Sequence, residues 1–211
     1  MPIVSFINQK GGVGKTTGVV HLRHWLRSRG HSVLLVDADA QRSSTEWLDP
    51  DADAEDVVTT TDADEIAQHL PALRDRFDYV VCDAPAGLSE ATRAILICSD
   101  LAIVPVQPTG ADLRSSAAAI ALIREAQQAR ESDRPRGVMY LSRAVGGTRL
   151  KNEAIDALSH IEDIPLLSTV IHQRQAVADA SGQSCTAWDM ARNAAAPEFD
   201  ALFAEAMQHV G

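Results

Sequence analysis

Lys10 and Lys15 stand five residues apart, and they are two of only three lysines in a chain that carries sixteen arginines. Between them lie Gly11, Gly12, Val13 and Gly14, in the run KGGVGKTT that ends at Thr16 and Thr17. Glycines let backbone N–H groups turn inward around a phosphate, and a helix that starts just after them aims its positive end at the same point. In such a loop Lys15 reaches the β- and γ-phosphates of ATP, while the Thr16 hydroxyl ligates Mg²⁺. The common form of this loop has glycine at position 9, where this chain has Gln9. A second lysine at position 10 cannot easily serve the same phosphate, because like charges crowd. Supplied to another subunit's nucleotide, it would neutralise charge developing in phosphoryl transfer, as an arginine finger does. The bland alternatives are a structural turn and a solvated loop lysine.

Three carboxylates follow apolar runs: Asp37 and Asp39 in LLVDADAQ, and Asp83 in YVVCDAPAG. In parallel α/β sheets ligands sit beyond the carboxyl ends of the strands, so these acids converge on the glycine loop. An acid in that place commonly positions Mg²⁺ through water. Taken singly, each could also be a strand-end cap.

Strands that read as unbroken apolar runs belong to sheets buried on both faces. Ile3–Asn8, Ser32–Val36, Tyr79–Cys82 and Leu101–Val104 have that character, with weaker runs at Gly137–Leu141 and Val170–Ile171 and a short one near Val57. Helical patterns fall at Thr16–Ser28, Glu65–Arg74, Ser89–Cys98, Asp112–Arg130, Leu150–Ile161 and Glu198–Val210. The alternation predicts a doubly wound α/β fold with a mostly parallel sheet, as one domain over residues 1–211.

Composition excludes several classes. At 211 residues, 45% apolar and 23% charged, the chain is neither disordered nor a disulfide scaffold. Cys82, Cys98 and Cys185 lack any pairing pattern and read as small buried hydrophobes. There is no basic leader and no apolar run near the ~20 residues that cross a bilayer, so a cytoplasmic protein is expected. His21 and His24 lack a convincing third metal ligand. The stretch Asp49–Glu65 holds eight acids and no base, a solvated excursion without a functional account.

The front lysine, Lys10, makes KGGVGKTT resemble the deviant Walker A signature of the ParA/MinD superfamily of ATPases. VLLVDADAQ, DYVVCDAPAG, SDLAIVPVQPTGADL and VIHQRQAVADA resemble later segments of that family, and the likeness is to the short partition ATPases that lack an N-terminal regulatory domain. The resemblance implies a P-loop fold and an ATP-dependent homodimer in which Lys10 crosses to the partner's ATP. It gives Lys15 and Thr17 to the chain's own phosphates, and Thr16, Asp37 and Asp83 to the Mg²⁺ shell. It has Asp39 orient the attacking water, while Pro105 and Pro108 shape the loop near the adenine and the interface. Ala40 departs from the family, which often has proline there.

The implied function is plasmid or chromosome partition: an ATP-closed dimer binds DNA nonspecifically on the nucleoid, and a ParB-like partner triggers hydrolysis. Net charge of −10 denies the chain a general basic footprint, so DNA contact must come from a local patch. The supply is Arg124, Arg130, Arg134, Arg136, Arg143, Arg149, Lys151, Arg174 and Arg192, with Arg149, Lys151 and Arg174 preferred by region. Two alternatives stand beside partition: positioning of a protein assembly such as a carboxysome, and an ATP-dependent metabolic ligase. Membrane targeting is not expected, because Asn193–Gly211 contains acids but no Lys or Arg.

Overall fold

Alternate residues of a strand leave the sheet on opposite sides, and here both sides are apolar. Ile3, Leu34, Val36, Val80 and Val104 pack into one core. Val4, Phe6, Leu35, Val81 and Ile103, their neighbours in sequence, pack into the other. The computed structural model describes residues 1–48, 56–73, 76–87, 89–191 and 194–210. Its strands are β1 (Ile3–Phe6), β2 (Val33–Asp37), β3 (Val57–Thr59), β4 (Tyr79–Asp83), β5 (Leu101–Val106), β6 (Arg136–Ala144) and β7 (Leu166–His172). They form one sheet in the order β3-β2-β4-β1-β5-β6-β7, and every neighbouring pair is parallel.

The helices are α1 (Lys15–Arg27), α2 (Ser43–Trp47), α3 (Ala63–Leu73), α4 (Glu90–Cys98), α5 (Gly110–Arg130), α6 (Arg149–Ser159), α7 (Gln175–Ser181) and α8 (Ala195–Ala206). Helices α3 to α6 cover the first core through Ile66, Leu70, Ile95, Ile123 and Leu158. Helices α1, α2, α7 and α8 cover the second through Leu22, Trp47, Ala180, Phe199 and Phe203. This is the doubly wound α/β architecture that the alternation predicts, with an all-parallel sheet among the described strands. Sequence patterns locate every described strand but shorten β6 and β7, and they miss the brief helices α2 and α7.

Two glycines set the height of the phosphate loop above the sheet. A Cβ on Gly18, one turn into α1, would lie 2.4 Å from Cε1 of Phe6 on β1. The helix therefore sits closer to the strand than any larger residue allows. Gly14 is described with the site below.

The expected acidic excursion falls partly on residues 49–55, outside the described residues, as does Arg192. Cys82 and Cys98 are buried free thiols, and burial pushes the Cys82 thiol far up. Among the described residues no helix is long and apolar enough to cross a membrane.

Candidate nucleotide site

Asn8 fixes the start of the loop beyond β1. Its Nδ2 donates to the Pro105 carbonyl at 2.8 Å. Its Oδ1 accepts from the Lys10 N–H at 3.1 Å and from the Ser115 hydroxyl. Gly14 then caps α1 with φ at +103° and no side-chain cap, so the first N–H groups of the helix stay available to an anion. Any Cβ at Gly14 would lie 2.6 Å from the Ser142 hydroxyl. Backbone conformation and space both demand glycine there.

The two lysines diverge. Lys15 is buried and folds into the loop, its Nζ 3.3 Å from the carbonyls of both Asn8 and Lys10. Burial lowers its pKa, against the pull of Asp83 and Asp39. Lys10 turns outward to α5, where its Nζ meets Asp112 Oδ2 at 2.9 Å. Asp112 is fully buried, takes the Thr109 hydroxyl on the same oxygen, and leaves its Oδ1 without a hydrogen-bond partner.

Asp37 and Asp83 stand side by side at the ends of β2 and β4. Asp83 Oδ2 accepts from the Thr16 hydroxyl at 2.8 Å, while its buried Oδ1 has no hydrogen-bond partner. Burial pushes its carboxyl up to about 7, and the neighbouring Asp37 adds to that rise against the Thr16 bond and Lys15. Both oxygens of Asp37 are engaged. Oδ1 accepts from the Asp39 N–H at 3.1 Å, and Oδ2 accepts from the Thr45 N–H at 2.9 Å and its hydroxyl at 2.8 Å. Asp37 therefore ties down the β2–α2 loop and through it orients Asp39. The Asp39 carboxylate accepts from the N–H groups of Gln41 and Ala86, at 2.9 Å and 3.3 Å, and lines the cleft.

That cleft holds about 520 Å³. Gly11, Gly12, Gly14, Lys15, Thr16 and Thr17 line it, together with the more apolar Trp47, Tyr140, Val177, Ala178 and Phe199. Val13, Pro105 and Pro108 are buried and do not line it. Pro105 acts on the loop through Asn8. Arg174 lines the cleft and is ion-paired with Glu198, which also holds His172, whereas Arg149 and Lys151 sit in the first turn of α6.

Behind the cleft, His21 is wholly buried. Its Nδ1 donates to the Thr17 carbonyl at 2.8 Å, which leaves Nε2 to accept from the Ala187 N–H at 3.1 Å. The ring stacks on Phe199 at 4.1 Å, with Trp47 and Trp188 at 5.7 and 5.8 Å. Burial holds its pKa down at about 4. Sequence considers His21 only as an unsupported metal ligand and does not single out Asp112. For Asp112 a signal existed, since Thr109 and Asp112 have the spacing of a helix capping box.

The VirC1 protein family model matches residues 1–201 of this chain. The chain belongs to the VirC1 family. That family lies within the ParA/MinD superfamily of P-loop ATPases, so the chain is by family a ParA/MinD-type ATPase. The carboxysome distribution protein A of Halothiobacillus neapolitanus is 32% identical over 79% of this chain and 77% of its own length. The chromosome-partitioning ATPase Soj of Thermus thermophilus is 32% identical over 58% of this chain and 61% of its own. Among solved structures, the septum site-determining protein MinD of Pyrococcus horikoshii, complexed with Mg-ADP, superposes with a TM-score of 0.73. That match has 21% identity and covers 95% of this chain and 93% of MinD.

Proposed function

We propose that this protein binds ATP and Mg²⁺, closes into a homodimer, and uses the closed dimer to position a cargo along DNA, with plasmid or chromosomal DNA as that cargo. The observation that carries the reading is the divergence of the two loop lysines. Lys15 fills its own cradle, while Lys10 leaves that cradle for Asp112 and stays 43% exposed, where a second copy can reach it. A lysine so placed can meet a partner's phosphates and stabilise charge developing there.

Magnesium fits the residues present. The orphaned buried Oδ1 of Asp83 and the Thr16 hydroxyl bonded to the same carboxylate are hard oxygen donors beside a phosphate cradle. They would hold the ion, with Asp37 as a neighbouring charge, and the ion would neutralise charge on the β- and γ-phosphates. Asp39 is held by two backbone N–H groups at the cleft edge and would orient the attacking water. A ParB-like partner would stimulate hydrolysis and reopen the dimer.

For DNA, the exposed first turn of α6 is the favoured contact. Arg149 is 90% exposed and, among the described residues, ion-paired with Glu153 of its own helix, an interaction that a phosphate can replace at little cost. Lys151 lies beside it. The half-buried Arg174–Glu198 pair offers no such exchange. A second reading, positioning of a protein assembly, draws support from the carboxysome-distribution relative.

Sedimentation of the protein with ATP and Mg²⁺ tests the first step: a dimer is expected with ATP and a monomer with ADP. A monomer under both conditions overturns the reading. Flanking genes separate the cargoes. A small DNA-binding protein supports partition, a microcompartment operon supports the second reading, and a biosynthetic cluster would favour an ATP-dependent ligase over both.

A further inference from the structure

Ser142 and Arg143 are consecutive residues of β6, and in a regular strand their side chains would leave opposite faces of the sheet. Both reach the phosphate loop instead. Ser142 Oγ abuts Gly14, and Arg143 Nη1 donates to the Gly12 carbonyl at 2.9 Å. The strand register explains how. Leu141 pairs with Val170 and Ala144 pairs with His172, so two residues of β6 lie opposite the single Ile171 of β7. Such a bulge bends its strand and re-aims a side chain. At the bulge Arg143 adopts φ of +52°, a left-handed conformation that a long side chain seldom takes. An outlier of this kind persists only where its surroundings over-determine it.

A second donor arrives from the neighbouring strand. Gln107, just past the end of β5, donates through Nε2 to the same Gly12 carbonyl at 2.9 Å. A trans peptide unit points its C=O and the following N–H in opposite directions. Two donors that pin the Gly12 carbonyl therefore also fix the orientation of the Val13 N–H in the same peptide unit, within the loop whose amides are available to phosphate. Arg143 is exposed, lines the cleft, and adds positive charge at its mouth.

We propose that Arg143 and Gln107 are positioning residues: a two-donor clamp, delivered by the β6 bulge, that presets the phosphate loop before nucleotide arrives. The inference rests on the ATP-binding reading above. It predicts opposite signs for stability and affinity at one residue. In Arg143→Gly the strained backbone relaxes while the clamp is lost.

The test titrates a fluorescent ATP analogue into the wild type, Arg143→Gly, Arg143→Lys and Gln107→Ala, and measures the melting temperature of each. Arg143→Gly is expected to melt at or above the wild type and to bind ATP about tenfold more weakly, the scale of a lost charge-assisted hydrogen bond. Arg143→Lys, which keeps a donor, should recover part of the loss, and Gln107→Ala, which removes the second donor, should weaken binding as well. Unchanged affinity in Arg143→Gly overturns the clamp, as does an affinity loss that only follows a fall in melting temperature. A wild type that fails to bind ATP overturns the nucleotide reading itself, a result separable from either.

Discussion

At Lys10 one charge pairs with the buried Asp112 in the isolated chain, and in the proposed dimer it would serve a second chain. Lys10→Ala is expected to keep ATP binding, which rests on Lys15, and to lose ATP-dependent dimerisation in a sedimentation experiment. Because the single variant strands a buried carboxylate, Lys10→Ala/Asp112→Ala is the cleaner protein, and it too should stay monomeric with ATP. Asp39→Ala should behave oppositely. Its backbone donors are on the β2–α2 loop and at Ala86, so the phosphate contacts survive and the dimer still closes. Loss of the group that orients water should slow turnover on the order of a hundredfold or more, read as phosphate release at saturating ATP. The glycine loop with Lys15 and Thr16 was visible in sequence because adjacent residues set it, and Asp37 and Asp83 because each ends an apolar strand. Arg143 was not. No glycine marks its left-handed backbone, and the bulge that turns it is defined only by the register against β7.

Among the elements, α1 is joined to the segment after α7 through His21, a contact across 166 residues that no local pattern displays. The sequence reading set His21 aside as an unsupported metal ligand, whereas the fold uses it as a neutral ring with a fixed tautomer. Its pKa in the folded chain is about 4, against 6.5 when exposed. The unfolded chain therefore binds the proton first as pH falls. Stability from this group is complete above pH ~6.5 and is lost progressively towards pH 4, by about 3 kcal/mol at ~1.4 kcal/mol per unit. Denaturant midpoints should fall across that window, and His21→Gln should flatten the slope while lowering the plateau. A wild-type midpoint that is constant from pH 7 to 4.5 would contradict this account. The brief α7 escaped prediction for a related reason: its seven residues bury only Ala180, too little to leave a helical period.

On the scale of the molecule, parallel strands with β1 at the centre bring the ends of β2, β4, β1, β5 and β6 to one rim, and every group of the site stands on it. The doubly wound plan was legible because strands buried on both faces must be apolar throughout. A DNA surface was less so, since, besides Arg149, ion pairs within the chain hold four of the eight candidate arginines: Arg124 to Asp163, Arg134 to Asp100, Arg136 to Asp133 and Arg174 to Glu198. If Arg149 and Lys151 of each subunit meet phosphate, a dimer makes about four contacts, and log affinity should fall with log salt at a slope of about −3.6. Replacing both residues by Ala should remove ATP-dependent DNA binding at low salt without affecting dimerisation. Retained binding with an unchanged slope would move the surface elsewhere.

The tryptophans around His21 also make the cleft visible to light. Trp47 lines it and donates its indole N–H to the Cys185 carbonyl at 2.8 Å. Trp25 lies away from it beneath the Arg29 guanidinium, 3.7 Å over the ring. Emission should therefore divide into a responsive and a silent component. ATP addition should shift the spectrum of the wild type, and Trp47→Phe should abolish the shift while ATP still binds. The protein would then report its own occupancy, without a label, through each cycle of loading and release.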